Sequence, residues 1–95
     1  LKMQFMSQHV GERFGAIISG VGETGFYVEL IDYLVSGRVD LASLTDDYYL
    51  LDRKNYRLIG DVGGRVFCLG DQIEVTLLDV DHSQNKLRFS VVDAP

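Results

Sequence analysis

The sequence predicts one all-β domain, folded as a small closed or nearly closed barrel, and three observations carry that prediction. Short alternations of apolar and polar residues recur about every ten residues, and polar or glycine-rich turns separate them. Ten glycines stand against a single proline in 95 residues, a balance that favours tight turns between strands. A small barrel or a sandwich fits this pattern. Closure is the better solution, because a chain of this size with bare sheet edges would template its own aggregation.

The elements follow in order. After the opening LKMQFMSQHVGER, the stretch FGAIISGV at 14–21 is the first strand, with β-branched Ile17 and Ile18 set between glycines. GFYVEL at 25–30 is the second, where Phe26, Val28 and Leu30 point to the core and leave Tyr27 and Glu29 on the open face. SGRVDL at 36–41 is the third, with Val39 and Leu41 inward and Arg38 and Asp40 outward. Residues 43–51 form an ordered connection in which Thr45 could start a single helical turn. Residues 56–59 and 65–69 are the arms of a hairpin around GDVGG. LGDQIEVTLLDVD at 69–81 is a long half-buried strand with Ile73, Val75 and Leu77 inward, and HSQN is a polar turn. KLRFSVV at 86–92 is the last strand, with Leu87, Phe89 and Val91 inward and Lys86, Arg88 and Ser90 outward.

Composition narrows the function classes. With 46% hydrophobic and 24% charged residues the chain reads as an ordinary soluble domain, too short for a catalytic and a binding domain together. No apolar run reaches the roughly 18 residues needed to span a bilayer, and no signal-peptide pattern opens the chain, so a cytoplasmic setting without membrane contact is expected. The one cysteine, Cys68, lies in VFCL and is expected to be a small buried side chain. A formal net charge of −5 argues weakly against a nucleic-acid partner, although placement on one face matters more than the total.

The order VG…F.GAIISGV..TGFYVEL…SGRVDLASL…LGDQIEVTLLDVD…KLRFSVV resembles the S1 RNA-binding domain, a five-stranded Greek-key barrel of the oligonucleotide-binding (OB) fold. The matching positions run from Val10 to Ser90 and include Tyr27, Val28, Gly37, Val39, Gly70, Asp71, Val75, Asp81 and Arg88. Residues 46–69 add a β-hairpin between strands three and four. This insert, with Tyr48, Tyr49, Arg57–Gly60 and the glycine-rich turn, is similar to the C-terminal domain of ribonuclease R-type enzymes of the ribonuclease II family. The run-in 1–9 is similar to the chain leaving the catalytic domain of those enzymes.

The resemblance implies a single-stranded RNA-binding domain that feeds a processive 3′-to-5′ exoribonuclease, with the catalytic domain and its magnesium elsewhere in the parent chain. It also implies partners: single-stranded RNA, and the catalytic and other RNA-binding domains of that parent. Within this segment no catalytic residue, cofactor or metal site is expected. Asp79, Asp81 and His82 have the residue types of metal ligands, but alternation puts Asp79 and Asp81 on one side and His82 on the other, with no third strong ligand in sequence. His9 is expected to have no neighbouring acid or nucleophile.

Single-stranded RNA needs flat π-surfaces for bases and cations for phosphates. Tyr27 matches the aromatic of the family on the second strand, and alternation places it outward independently. Lys86 matches a basic family position, Arg88 follows two residues on, and Asp81 matches a polar position whose bland reading is a turn residue. Two departures mark this chain: Thr24 replaces a second aromatic, and Asp40 stands where a histidine is frequent, with Arg38 beside it to offset the charge. The candidate RNA-binding set is therefore Tyr27, Lys86, Arg88, Asp81, Arg38 and Asp40.

In the insert, Arg53, Lys54, Arg57 and Arg65 either form a second basic edge or pair with Asp46, Asp47, Asp52 and Asp61. One of Tyr48 and Tyr49 is expected to pack inward and the other to be exposed. Two other classes of function stay open: a protein-interaction domain that has lost RNA binding, with an apolar patch near the tyrosines, and a domain of a translation or transcription factor.

Overall fold

The computed structural model describes residues 6–33, 35–44, 47–84 and 86–92. Among the described residues eight strands follow one another: β1 (Arg13–Gly22), β2 (Gly25–Leu30), β3 (Ser36–Asp40), β4 (Tyr49–Asp52), β5 (Arg57–Gly60), β6 (Val66–Cys68), β7 (Gln72–Asp81) and β8 (Lys86–Val91). A short 3-10 turn at Leu41–Ser43 follows β3. Five strands close a barrel in the order β1-β2-β3-β8-β7, antiparallel except for the parallel contact of β3 with β8. The expected five-stranded OB-type barrel is the one found.

Alternation explains the packing. In β2 the buried Phe26, Val28 and Leu30 alternate with exposed Tyr27 and Glu29, and in β8 buried Leu87 and Phe89 alternate with exposed Lys86 and Arg88. These side chains join Ala16, Ile18, Val39, Val75 and Leu77 in one core, with Met6 of the run-in buried among them. Two glycines permit close approach. A Cβ on Gly37 would stand 2.0 Å from Cε2 of the Phe89 ring, and one on Gly25, at φ +149°, would meet the Val39 carbonyl oxygen at 2.1 Å.

Register steps break the alternation twice. Between Ile18 and Gly20 the pairing of β1 with β2 skips one residue, and between Leu77 and Asp79 the pairing of β7 with β8 does the same. Each step is a β-bulge, which adds a residue to one strand and reverses the phase of its side chains. In β7, Leu77 lies opposite core residue Phe89, Asp79 opposite exposed Arg88 and Val80 opposite core residue Leu87. The extra residue, Leu78, is 47% exposed.

The insert differs from the expected hairpin by one strand. The hairpin is present as β5 and β6, and β4 joins β5 to make a three-stranded sheet. Strand β4 escaped the sequence reading because YLLD lacks a period-2 pattern. Phe67 fastens this sheet to the barrel: its ring stacks on Phe26 at 5.0 Å and 23°, and Tyr49 lies 5.5 Å from it. So Tyr49 is the packed tyrosine, 4% exposed, and Tyr48 the open one at 70%.

Asp47 secures the far turn by accepting hydrogen bonds from the amides of Tyr48, Val62 and Gly63, the last at 2.7 Å. These bonds, that from Gly63 foremost, hold its carboxyl below the usual aspartate range. After β6, Gly70 donates to the Ile18 carbonyl and Asp71 accepts from the Ile18 amide, which ties the chain to β1 before β7 begins.

Several smaller expectations are corrected. The third strand stops at Asp40 because Leu41 enters the 3-10 turn. Cys68 is half-buried rather than buried, with its sulfur 3.8 Å from the Asn55 carbonyl oxygen, because β6 is a sheet edge. His9 does have an acid beside it: Nδ1 lies 2.7 Å from Oε2 of Glu12, one turn along the run-in. Thr45, Asp46 and the first five residues of the run-in, named in the sequence reading, lie outside the described residues.

Candidate nucleic-acid interface

One line of neighbouring residues crosses the outside of the barrel over all five strands. Gly20 pairs with Tyr27, Tyr27 with Arg38, Arg38 with Arg88, and Arg88 with Asp79. Both bulges are needed for this line: without the step at Ser19 the β1 neighbour of Tyr27 would be a different residue, and without the step at Leu78 Asp79 would share the inward phase of Leu77. Strands in a sheet lie about 4.8 Å apart, so these side chains form a continuous surface.

Tyr27 is 52% exposed. Gly20 beside it offers no side chain, and a Cβ there would already touch the ring at 3.5 Å. The ring therefore lies low over Gly20 on β1 and stays half exposed. From it a groove of about 790 Å³ runs along the outside of the barrel, lined by Tyr27, Arg38, Asp79, Asp81, His82 and Lys86, among others.

The two arginines of this groove are each paired with a carboxylate. Arg38 and Arg88 lie directly opposite on adjacent strands, an arrangement of like charges that destabilises a sheet unless compensated. Asp40 supplies the compensation: Oδ1 is 2.7 Å from Nε of Arg38 and Oδ2 is 4.0 Å from Nη1 of Arg88. Nη2 of Arg88 donates to Oδ2 of Asp79 at 2.7 Å. The side chains of these four residues are 30–52% exposed, so each pair contributes only about 0–1 kcal/mol to stability.

Asp81 pairs across the strands with Lys86 and orders the turn. Its Oδ1 accepts from the Ser83 hydroxyl at 2.7 Å, the Ser83 amide at 3.1 Å and the Gln84 amide at 3.3 Å. The Ser83 hydroxyl above all, with the two amides and the Lys86 charge, holds the Asp81 carboxyl below the usual range.

All six residues of the sequence-derived set therefore fall on this side of the barrel. The sequence reading missed two more. Asp79 is the partner of Arg88, and His82, expected to point away from Asp79 and Asp81, lines the same groove because it belongs to the turn beyond the strand. The signal for Asp79 lay in TLLDVD, where apolar positions switch from odd (73, 75, 77) to even (80) across a Leu-Leu pair. Among the described residues no three His, Cys, Asp or Glu side chains are grouped to hold a metal ion, and no described helix is long and apolar enough to cross a membrane.

The insert spreads its cations rather than gathering them into one basic edge. Arg57 pairs with Asp52 at 3.0 Å, Arg53 reaches Glu23 in the β1–β2 turn, and the Arg65 guanidinium lies 4.8 Å from the centre of the Phe67 ring. Its outer face carries an apolar row in register, Leu50–Ile59–Val66, with Leu50 51% and Val66 39% exposed.

A closed five-stranded barrel with an aromatic and cations on one face defines the oligonucleotide-binding class of β-domain. Residues 7–92 match the model of the S1 RNA binding domain, and the chain belongs to that family. Curated relatives carry the whole length of the chain. It is 41% identical to ribonuclease R of Aquifex aeolicus over 98% of its residues, and 38% identical to ribonuclease R of Escherichia coli over 99%. The chain spans only 13% and 12% of those proteins. Among solved structures, the apo form of Mycoplasma genitalium RNase R superimposes over 97% of this chain and 14% of its own, with a TM-score of 0.88 at 21% identity. The same enzyme in complex with ribose-methylated single-stranded RNA gives the same score. At that identity the likeness is one of fold.

Proposed function

We propose that this chain is the single-stranded RNA-binding domain of a ribonuclease R-like, processive 3′-to-5′ exoribonuclease, and that it guides RNA toward a catalytic domain outside the chain. The observation that carries the reading is the line Tyr27–Arg38–Arg88, an open aromatic ring set against two guanidinium groups on the wall of one groove. A base stacks on Tyr27 while phosphates pass Arg38, Arg88 and Lys86, and Asp81 offers an acceptor to a ribose hydroxyl or a base amine. Chemistry lies in the catalytic domain, which also holds the magnesium, in a cytoplasmic setting. The other domains of the parent are partners, and a weak site tethered beside a catalytic channel raises the local concentration of substrate between cleavage steps.

The test is fluorescence anisotropy of a labelled single-stranded RNA about a dozen nucleotides long, titrated at two salt concentrations. Affinity should fall with salt at a slope of roughly −0.7 per phosphate contacted. Tyr27→Ala should weaken binding about five- to 150-fold, the equivalent of one stacked base, with little change in Tm. Unchanged affinity in that variant would refute the assigned face. A second reading, a protein-contact domain, draws on the Leu50–Ile59–Val66 row of the insert, exposed at Leu50 and Val66; it expects no salt-sensitive RNA binding at all.

A further inference from the structure

We infer that Asp40 and Asp79 act as built-in competitors of the RNA backbone: they hold the guanidinium groups of Arg38 and Arg88 in place of phosphate and so set the affinity of the groove below what its cations could deliver. The inference rests on the RNA-binding reading of this face. The geometry is specific. Asp79 Oδ2 lies 2.7 Å from Arg88 Nη2, Asp40 Oδ1 lies 2.7 Å from Arg38 Nε, and Asp40 Oδ2 lies 4.0 Å from Arg88 Nη1. A carboxylate and a phosphate present the same chemistry to guanidinium, two oxygens that accept parallel N–H donors. An arriving phosphate must therefore displace a carboxylate or share a group whose charge is already balanced.

The placement of these acids is not incidental to the fold. Asp79 stands opposite Arg88 because Leu78 is left out of the pairing, which puts Asp79 in the outward phase. Asp40 stands two residues beyond Arg38 on the same strand, on the face where it bridges two arginines that would otherwise repel. The acids thus serve the folded state by quenching that repulsion and oppose the bound state by occupying its donors. The consequence for a processive enzyme is release: a groove that is partly self-neutralised lets the strand advance between cuts instead of trapping it.

The test compares the 95-residue chain with Asp79→Asn, Asp40→Asn, the double variant and Asp61→Asn, using the same single-stranded RNA and a salt series. Asp61→Asn changes the net charge of the chain equally but lies in the turn after β5, away from the arginines. Asp79→Asn should tighten binding by up to about fivefold at moderate salt, the range of one exposed ion pair, and steepen the salt slope by roughly 0.7 as one cation becomes available. The double variant should do more, and Asp61→Asn much less. Tm should fall slightly in Asp40→Asn, as the arginines lose their bridge. Binding by the parent chain with no gain, or a loss, in Asp79→Asn and Asp40→Asn overturns the inference and leaves the RNA-binding reading intact. Gains equal to those of Asp61→Asn overturn it too, because net charge then accounts for them. If no variant binds, the RNA-binding reading itself fails and this inference with it.

Discussion

Gly37 is the position where one added methyl group should do the most damage. Its Cβ would stand 2.0 Å from Cε2 and 2.5 Å from Cδ2 of Phe89, and 3.0 Å from the Leu87 carbonyl oxygen. Carbon atoms prefer 3.5–4.0 Å, so the ring would have to withdraw by about 1.5 Å or more. It has no room to do so, since Phe89 and Leu87 are each 1% exposed and Leu77, opposite Phe89 on β7, is fully buried. Overpacking of this kind costs about 1–3 kcal/mol, and a clash with a confined ring belongs at the upper end, about 3 kcal/mol. For a domain near 100 residues each kcal/mol moves Tm by about 4–8 °C, so Gly37→Ala should lower it by roughly 12–24 °C. Urea unfolding should give the same loss with an unchanged m-value. The decisive comparison adds Phe89→Leu. If the ring is the obstacle, the double variant will be more stable than the sum of the single losses by about 0.5–3 kcal/mol. Strict additivity, or a loss below about 0.5 kcal/mol in Gly37→Ala alone, would show that the barrel wall yields and that the reasoning is wrong.

Two further perturbations address the insert. Phe67→Ala removes a ring that is 2% exposed and stacked on Phe26; it should cost about 3–5 kcal/mol in a single cooperative transition, and a biphasic urea curve would show instead that the insert unfolds by itself. The Asp47 carboxyl is held below its ordinary value of 3.8 by amide bonds formed in the folded state, so its contribution is present above the unfolded value and lost as pH falls through the lower, folded one. Thermal melts from pH 7 to pH 2 should show Asp47→Asn less stable than the parent at neutral pH, with the gap closing in acid; a constant gap would assign the effect to shape rather than charge.

Much of the barrel was legible because its strands bury one face, and burial imprints period two. Phe26, Val28 and Leu30 reveal where Tyr27 must point without any knowledge of its neighbours. The parts that were not legible share a physical cause. Strand β4 pairs on a small sheet that buries Tyr49 but leaves Leu50 exposed, so hydrophobicity and burial part company there. The choice between Tyr48 and Tyr49 depended on Phe67, eighteen residues further on and visible only once the insert had folded back. The bulge at Ser19 depends on pairing partners rather than on composition; the one at Leu78 left a trace in the switch from odd to even apolar positions, but which residue of β8 Asp79 would meet depended on the register. His82 escaped because alternation does not extend into a turn.

The register step at Leu78 gives β7 the character of a text with a reading frame. On one side of it the odd positions are spoken for by the core, and on the other the even ones are. Substitution at Leu78, half exposed and opposite no partner, changes one letter. Deletion of Leu78 would leave the frame intact, with Leu77 still opposite Phe89, Asp79 opposite Arg88 and Val80 opposite Leu87; straightening the step with Leu78 kept in the ladder would instead exchange Val80 with Asp79 and Asp81, turning a wet face apolar and pressing two carboxylates toward the core. The frame of this strand is therefore kept by where the pause falls and not by which letter fills it.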